Sequence, residues 1–353
     1  MQPFNSIPFA TTVRTMLLVL VLVLPQAVRA EIWHAIVGDQ SGMTDRLGLA
    51  FLPNELWIHA GDSVTWAFNS IEPHTVSFLP AGMIRPLSVH DSDVITPNGS
   101  SFDGSSYVNS GEQTIGQTFT VKFPTAGNFK LTCLAHIYMS GAVHVLNPAE
   151  TLPHDQSYYD AQAASEAREL LDRPDLPPKT PSHSGNRVIV GFASAVATGE
   201  GVQALQAVRF LPDTITIDAG ETVEWTILDL EGPHSVTFGF PIEPSPPRLP
   251  APIVASGVGV NENLDSDGAS HGIVASPTDN VHSGQLRVPP VDRAANAPYL
   301  PTTFTQLMQF PLARTVRELN QRFRVTFPNP GTYKYRCIYH DFEGMTGQVI
   351  VRP

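Results

Sequence analysis

One set of four side chains occurs twice in this chain, in the same order and in similar surroundings. Each copy has a histidine followed, far downstream, by a cysteine, a second histidine and a methionine. The first copy consists of His74, Cys133, His136 and Met139, and the second consists of His234, Cys337, His340 and Met345. This duplication constrains the fold strongly, because each copy must bring its four side chains together from distant parts of the sequence.

The duplication extends well beyond these side chains. Residues 51–66 recur as residues 210–225, at an offset of 159, and residues 119–130 recur as residues 323–334, at an offset of 204. The first histidines differ by 160 positions and the cysteines by 204, so the second copy carries about 44 extra residues between them. The sequence therefore predicts two similar units, the second with an insertion.

The chemistry of the repeated set points to copper. Two imidazoles, one thiolate and a weak axial thioether are the ligands of a mononuclear blue-copper electron-transfer site, which cycles between Cu(I) and Cu(II). Each of these residues alone is a weak signal. The complete set of four, found twice, predicts two type 1 copper sites. The alternative for an exported chain with two cysteines is a disulfide, but pairing Cys133 with Cys337 would remove the thiolate from both sets.

These motifs resemble the cupredoxin family, the plastocyanin and azurin type of blue-copper domain, over residues 31–147 and 187–353. The first cluster has the C-x2-H-x2-M spacing of amicyanin-like members, and the second has the C-x2-H-x4-M spacing of plastocyanin-like members. The resemblance implies a Greek-key β-sandwich with copper near one end of each domain. It also implies that His136 and His340 lie at an exposed end and pass electrons to partners.

The expected fold class is all-β, with two tandem Greek-key β-sandwich domains and a short helical linker. Domain 1 spans residues 31–147, a Pro-rich linker spans 148–186, and domain 2 spans 187–353 with a loop insertion at about 241–310. A content of 26 Gly, 32 Pro and only 15% charged residues fits strands and turns. The best helix candidate is 161–171. The insertion is interpreted either as a lid or docking surface or as a surface elaboration.

Alternation of apolar and polar residues predicts several half-buried strands in domain 1. The expected strands are residues 56–59, 63–66, 119–123, 128–132 and 142–146. The stretch from Leu79 to about Gly111 is rich in Pro, Ser, Gly and Asp, and it is expected to form a long loop near the first site.

The N-terminus has the pattern of a secretory signal peptide over residues 1–30. Arg14 precedes a short apolar run, residues 16–24, and Val28 and Ala30 offer small residues before a cleavage site. The run is shorter than the roughly 20 apolar residues that span a bilayer. We therefore expect a periplasmic or secreted protein with no membrane span after cleavage; an uncleaved membrane anchor is the alternative.

The chain is acidic, with a formal net charge of −12. A negative charge of this size disfavours nucleic acids and anionic membrane surfaces as partners. It is compatible with redox partner proteins, such as a cytochrome or an oxidoreductase.

The function expected from these features is that of an exported electron-transfer protein with two type 1 copper centres. A copper oxidase or a nitrite-reductase-like enzyme is disfavoured, because no histidine stands next to either cysteine and the chain contains no H-x-H pair. A copper storage or delivery protein is the main alternative, although the seven methionines form no Met-rich tract. A redox subunit docked to a larger oxidase or dehydrogenase also remains open.

Overall fold

The computed structural model describes residues 30–40, 45–83, 85, 95–173, 185–239, 265–284, 286 and 321–353. The signal-peptide prediction falls outside the described residues except for Ala30, and so does much of the predicted insertion. Strands dominate the described part of the chain, which confirms the all-β prediction.

The described part of the first half contains ten strands. They are β1 (Ile32–Gln40), β2 (Arg46–Leu52), β3 (Glu55–His59), β4 (Ser63–Phe68), β5 (Ser77–Phe78), β6 (Ser100–Ser101), β7 (Val108–Asn109), β8 (Thr118–Lys122), β9 (Gly127–Thr132) and β10 (Ser140–Leu146). Each strand predicted for this half is present, with ends within two residues of those expected. The stretch 79–111 is not a plain loop, because it contributes β6 and β7.

The described part of the second half repeats this set. Its strands are β11 (Arg187–Ala197), β12 (Val202–Leu211), β13 (Thr214–Asp218), β14 (Thr222–Leu228), β15 (Thr237–Phe238), β16 (Ser270–Ile273), β17 (Val281–His282), β18 (Arg322–Thr326), β19 (Gly331–Arg336) and β20 (Thr346–Arg352). Strands β16 and β17 lie within the predicted insertion, so this part of it belongs to the sheets.

Each half is a β-sandwich. In the first half, one sheet has the order β2-β1-β4-β8-β6, and β3, β10, β9, β5 and β7 form the other. In the second half, the corresponding orders are β12-β11-β14-β18-β16 and β13-β20-β19-β15-β17. Alternation buries one face of each sheet: Val64, Trp66 and Phe68 of β4 point into the core. Trp66 meets Phe78 of the facing sheet with a ring-centroid distance of 5.8 Å.

A single α-helix is described, α1 (Gln156–Leu171), and it begins five residues before the predicted helix. The earlier start follows from Asp155, whose side chain accepts a hydrogen bond from the backbone N–H of Tyr158 and so caps the first turn. The buried face of α1 packs against both halves of the chain, in a cluster formed by Ala50, Leu52, Ala163, Ala167, Leu170 and Leu205. The linker thus helps to fix how the halves sit together.

The two halves join through equivalent strands. Strand β2 pairs antiparallel with β12, its counterpart in the repeat, and Leu47 pairs with Gln206, its own counterpart at the offset of 159. Antiparallel pairing of equivalent residues defines an approximate two-fold axis at that pair. The two halves are therefore arranged like the subunits of a symmetric dimer.

Candidate metal centres

The first candidate site collects His74, Cys133 and His136 from two loops. His74 lies between β4 and β5, Cys133 directly follows β9, and His136 lies in the loop that leads to β10. Sγ of Cys133 is 4.0 Å from Nδ1 of His74 and 3.6 Å from Nδ1 of His136. All three residues are buried.

The second candidate site repeats this arrangement with His234, Cys337 and His340. Sγ of Cys337 is 3.6 Å from Nδ1 of His234 and 3.5 Å from Nδ1 of His340, and the two Nδ1 atoms are 3.0 Å apart. Since metal–nitrogen and metal–sulfur bonds in proteins are about 2.0–2.3 Å long, one ion can contact all three atoms of each cluster. The soft thiolate and two imidazoles suit copper.

The predicted methionines lie at the ends of the same loops. Met139 and Met345 are fully buried, and their carbonyl oxygens accept hydrogen bonds of 3.0 Å from the backbone N–H groups of Cys133 and Cys337. This hydrogen bond joins the two ends of each loop. The role of the two thioethers as axial ligands stays a prediction.

Each cysteine sulfur also receives a backbone hydrogen bond. The N–H of Thr75 points to Sγ of Cys133 at 3.4 Å, and the N–H of Ser235 points to Sγ of Cys337 at 3.3 Å. Both donors directly follow the first histidine of their set. Hydrogen bonds to a ligating sulfur stabilise its negative charge and tune the potential of a bound copper.

Burial would raise the pKa of both thiols, but the imidazoles beside them outweigh it. The pKa of Cys133 lies well below its ordinary value, and that of Cys337 falls to about 5, because the neighbouring histidines donate hydrogen bonds to the thiolate and place positive charge near it. Both thiols are therefore prepared to bind metal as thiolates.

This shift predicts a specific titration in the metal-free protein. In the Cys133→Ser variant, the remaining thiol should ionise with a midpoint near pH 5, and not near the ~8.5 of an ordinary cysteine. Because the folded-state pKa is depressed, the stability that the thiolate adds is fully present above about pH 8.5 and is lost as the pH falls through the folded pKa. Ultraviolet absorbance of the thiolate measures the midpoint; a value near 8.5 would contradict the described contacts.

A glycine makes room for the first histidine of each set. Gly38 and Gly191 lie at irregularities in the pairing of β1 and β11, with φ angles of +66° and +61°. A Cβ atom at these positions would come within 2.5 Å of Nε2 of His74 and within 2.2 Å of Nε2 of His234. Only glycine, which has no Cβ atom, allows the backbone to lie this close to each imidazole.

The second site has a carboxylate partner for its first histidine. Oδ2 of Asp229 lies 2.7 Å from Nε2 of His234, and both side chains are fully buried. Burial would lower the pKa of His234, but Asp229 and Cys337 raise it to about 10. Such a partner orients the ring and leaves Nδ1 directed at the metal position.

The first site lacks this partner. Ser70 occupies the position equivalent to Asp229 at the offset of 159, and its hydroxyl accepts a hydrogen bond from the backbone N–H of Glu72. Among the described residues, no hydrogen-bond partner lies near Nε2 of His74. The two sites therefore differ in the surroundings of one ligand as well as in loop length.

The expectation that His136 and His340 are exposed is wrong. They are only 3% and 4% exposed, because each site faces the other half of the chain. The carboxylate of Glu231, from the second half, accepts hydrogen bonds of 2.6 Å from the backbone N–H groups of Ile137 and Tyr138 in the loop of the first site. The contact between the halves covers the end of the sandwich that a single-domain protein would expose.

A cluster of carboxylates lies between the two sites. Oε1 of Glu72 is 3.4 Å from Nε2 of His136, and ligand atoms of Glu72, His340 and Glu343 all lie within 4.8 Å of one another. Burial would raise the pKa of Glu72, but its hydrogen bond to His136 and the charge of His340 hold it below its ordinary value. Burial, together with the charges of Glu72 and Cys337, raises the pKa of Glu343 well above its ordinary value.

Arg85 supports the loop of the first site. Its guanidinium donates to the carbonyl oxygens of Cys133, His136 and Ile137, so one side chain fixes most of the segment between the cysteine and the methionine. In the second site, Asp341 of the longer loop pairs with Arg336 at 2.7 Å.

The structure brings together the two histidines and one cysteine predicted for each site, but several residues around them were not predicted. The missed residues are Gly38, Glu72, Arg85, Gly191, Asp229, Glu231 and Glu343. The recurrence of Val-Gly in β1 and β11, and of a glutamate two or three positions before each first histidine, was a usable signal. Nothing in the sequence marked Arg85.

Part of the chain is similar to known copper-binding proteins. A family model described as copper-binding proteins of the plastocyanin/azurin family matches residues 39–146. Plastocyanin from Ginkgo biloba is 31% identical over 28% of this chain and 88% of its own length, and chloroplastic plastocyanin from Tetradesmus obliquus is 31% identical over 31% of this chain and 63% of its own length. A solved structure of a reduced amicyanin variant is 24% identical over 32% of this chain and 82% of its own, with a TM-score of 0.22. The chain belongs to the plastocyanin/azurin family of copper-binding proteins.

The described helix α1 is too short and too polar to cross a membrane, and no other helix in the described residues qualifies.

Proposed function

We propose that this chain is an exported electron carrier that holds two type 1 copper ions, one in each half. The observation that carries the proposal is the pair of His-Cys-His clusters, each buried and each with its three ligand atoms close enough for one ion. Membership of a copper-binding family supports the same conclusion.

The ligands proposed for the first ion are His74, Cys133, His136 and Met139, and those for the second are His234, Cys337, His340 and Met345. Copper, when bound, supplies reversible one-electron oxidation and reduction. In the absence of metal, the two imidazoles and the thiolate of each site are already held in place. The backbone hydrogen bond between the cysteine and the methionine and the backbone hydrogen bond to the cysteine sulfur both contribute. Little rearrangement is then needed between the two oxidation states, which favours fast transfer.

A carrier fits the sites better than an enzyme does. The ligand atoms are buried and enclosed by the other half, so the arrangement favours the movement of electrons over the binding of a substrate. Neither cysteine has the adjacent histidine that would lead electrons to a coupled catalytic copper. Export, to the periplasm or outside the cell, is proposed from the signal-like N-terminal segment, and redox partner proteins are proposed from the function itself.

The test is a copper count together with the visible spectrum of the oxidised protein. We expect two coppers per chain and an intense blue thiolate-to-copper band. Cys133→Ser and Cys337→Ser should each remove one copper and about half of the band, because each deletes the thiolate of one set. Bound copper without a blue band would contradict the carrier proposal and favour storage or delivery. A band lost completely in one single variant would mean that only one site is of type 1.

A further inference from the structure

One side chain, Glu72, lies close to a histidine of each candidate site. Its Oε1 atom lies 3.4 Å from Nε2 of His136 in the first site, and one of its oxygens lies within 4.8 Å of a ring nitrogen of His340 in the second. Glu72 belongs to the first half and His340 to the second, so Glu72 lies at the boundary between the halves.

The ring orientations make both histidines potential donors to this carboxylate. Nδ1 of each ring faces the cysteine of its own site, at 3.6 Å for His136 and 3.5 Å for His340. With Nδ1 bound to metal, the proton of each imidazole must reside on Nε2. Nε2 of His136 already faces Glu72, and Nε2 of His340 is the nitrogen directed away from Cys337.

The surroundings of Glu72 favour this arrangement. Its side chain is only 14% exposed, and a carboxylate that is largely removed from water requires hydrogen-bond donors. Two imidazole N–H groups, one from each site, would satisfy it. A chain of hydrogen bonds between two ligands also provides a through-bond route that solvent does not interrupt.

We propose that Glu72 is shared by His136 and His340 as a hydrogen-bond acceptor, and that this bridge joins the two coppers into one electron-transfer pair. This inference rests on the proposed function. With copper held by the ligands of both sites, the pair would exchange one electron, the site that gives it up being oxidised from Cu(I) to Cu(II) and the other reduced from Cu(II) to Cu(I). This exchange would require no net gain or loss of a proton. Glu72 is a positioning residue, since it acts through the two histidines.

The first experiment measures transfer inside the chain. The oxidised full-length protein with two coppers is reduced by a pulse that delivers less than one electron per chain, and the blue absorbance is followed while the electron redistributes. We expect a first-order phase whose rate does not change with protein concentration. Glu72→Leu should slow it at least ten-fold. Glu200→Leu, at an exposed turn position, is the matched control and should leave the rate unchanged.

The second experiment detects the bridge without any electron transfer. In the diamagnetic Cu(I) form, proton NMR should show two imidazole Nε2–H signals that exchange slowly with solvent, and Glu72→Leu should remove that protection. Glu72→Gln keeps one acceptor oxygen and should retain at least one protected signal. This readout separates a bridge from a merely structural role.

Several outcomes would overturn the proposal. One is a wild-type protein with two blue coppers but no concentration-independent phase; another is an unchanged rate in Glu72→Leu. A third metal ion per chain would show that Glu72, His340 and Glu343 act as ligands and not as a hydrogen-bonded bridge. Failure of the proposed function is recognised separately, since the copper count and the blue band are measured before the kinetics; fewer than two blue coppers would remove both proposals.

Discussion

Replacing Gly191 with alanine should abolish copper binding in the second half while leaving the first site intact. The added Cβ would lie 2.2 Å from Nε2 of His234, far inside van der Waals contact, and the φ angle of +61° is itself unfavourable for alanine. The ring cannot simply retreat, because Asp229 holds the same nitrogen at 2.7 Å. His234 must therefore leave its position, and Nδ1 leaves the metal position with it.

The measurement is the copper content and the blue absorbance of Gly191→Ala, which should both fall to about half of the wild-type values. Gly220→Ala is the matched control, because Gly220 also has a positive φ angle, +91°, but nothing lies within 4 Å of its Cβ position. It should retain both coppers and lose only a small amount of stability, of about 1–2 kcal/mol. Two normal blue centres in Gly191→Ala would show that His234 is not a ligand.

Asp229→Ala should lower the free energy of unfolding of the metal-free protein by about 3–5 kcal/mol, the usual cost of removing one partner from a buried ion pair. Asp229 is fully buried and accepts hydrogen bonds from the side chains of His234 and Gln206 and from the backbone N–H of Glu231. Alanine would leave these donors without an acceptor, and the imidazolium of His234 without its counter-charge. Urea titration of both proteins at neutral pH measures the difference.

Asp218→Ala is the control for that prediction. Asp218 pairs with Arg352 at 2.8 Å, but both side chains are more than half exposed, and exposed pairs contribute no more than about 1 kcal/mol. If the two variants lose similar amounts of stability, the pair formed by Asp229 and His234 is not buried as described. The comparison therefore tests burial as well as the hydrogen bonds.

The sequence predicted the local elements well because their signals are local. Alternation identified β3, β4, β8, β9 and β10 to within two residues, and the recurrence of residues 51–66 identified the second half. The two His-Cys-His clusters could also be predicted, because metal ligation restricts residue type as well as spacing. The predicted helix lies in the right place but is too short, because Asp155 caps a first turn that precedes the predicted start.

What could not be predicted is how the two halves meet. The pattern of apolar and polar residues in β2 and β12 does not show that these two edge strands pair with each other. The exposure expected for His136 and His340 would hold only if each half stood alone. In the sequence, Glu72 and Glu231 look like ordinary acidic residues. Their importance comes from contacts with residues that are roughly 60 to 90 positions away in the chain. Long-range pairings of this kind produce no repeating pattern of apolar and polar residues in the sequence.

The pairing of Leu47 with its own counterpart makes the junction of the halves a dimer contact enclosed within one polypeptide. Two separate chains would hold such a contact only above their dissociation constant, whereas a linker gives each half a fixed, high effective concentration at the other. Helix α1, which packs against both sides, restricts the geometry further. The two His-Cys-His clusters are therefore kept together at any dilution of the protein.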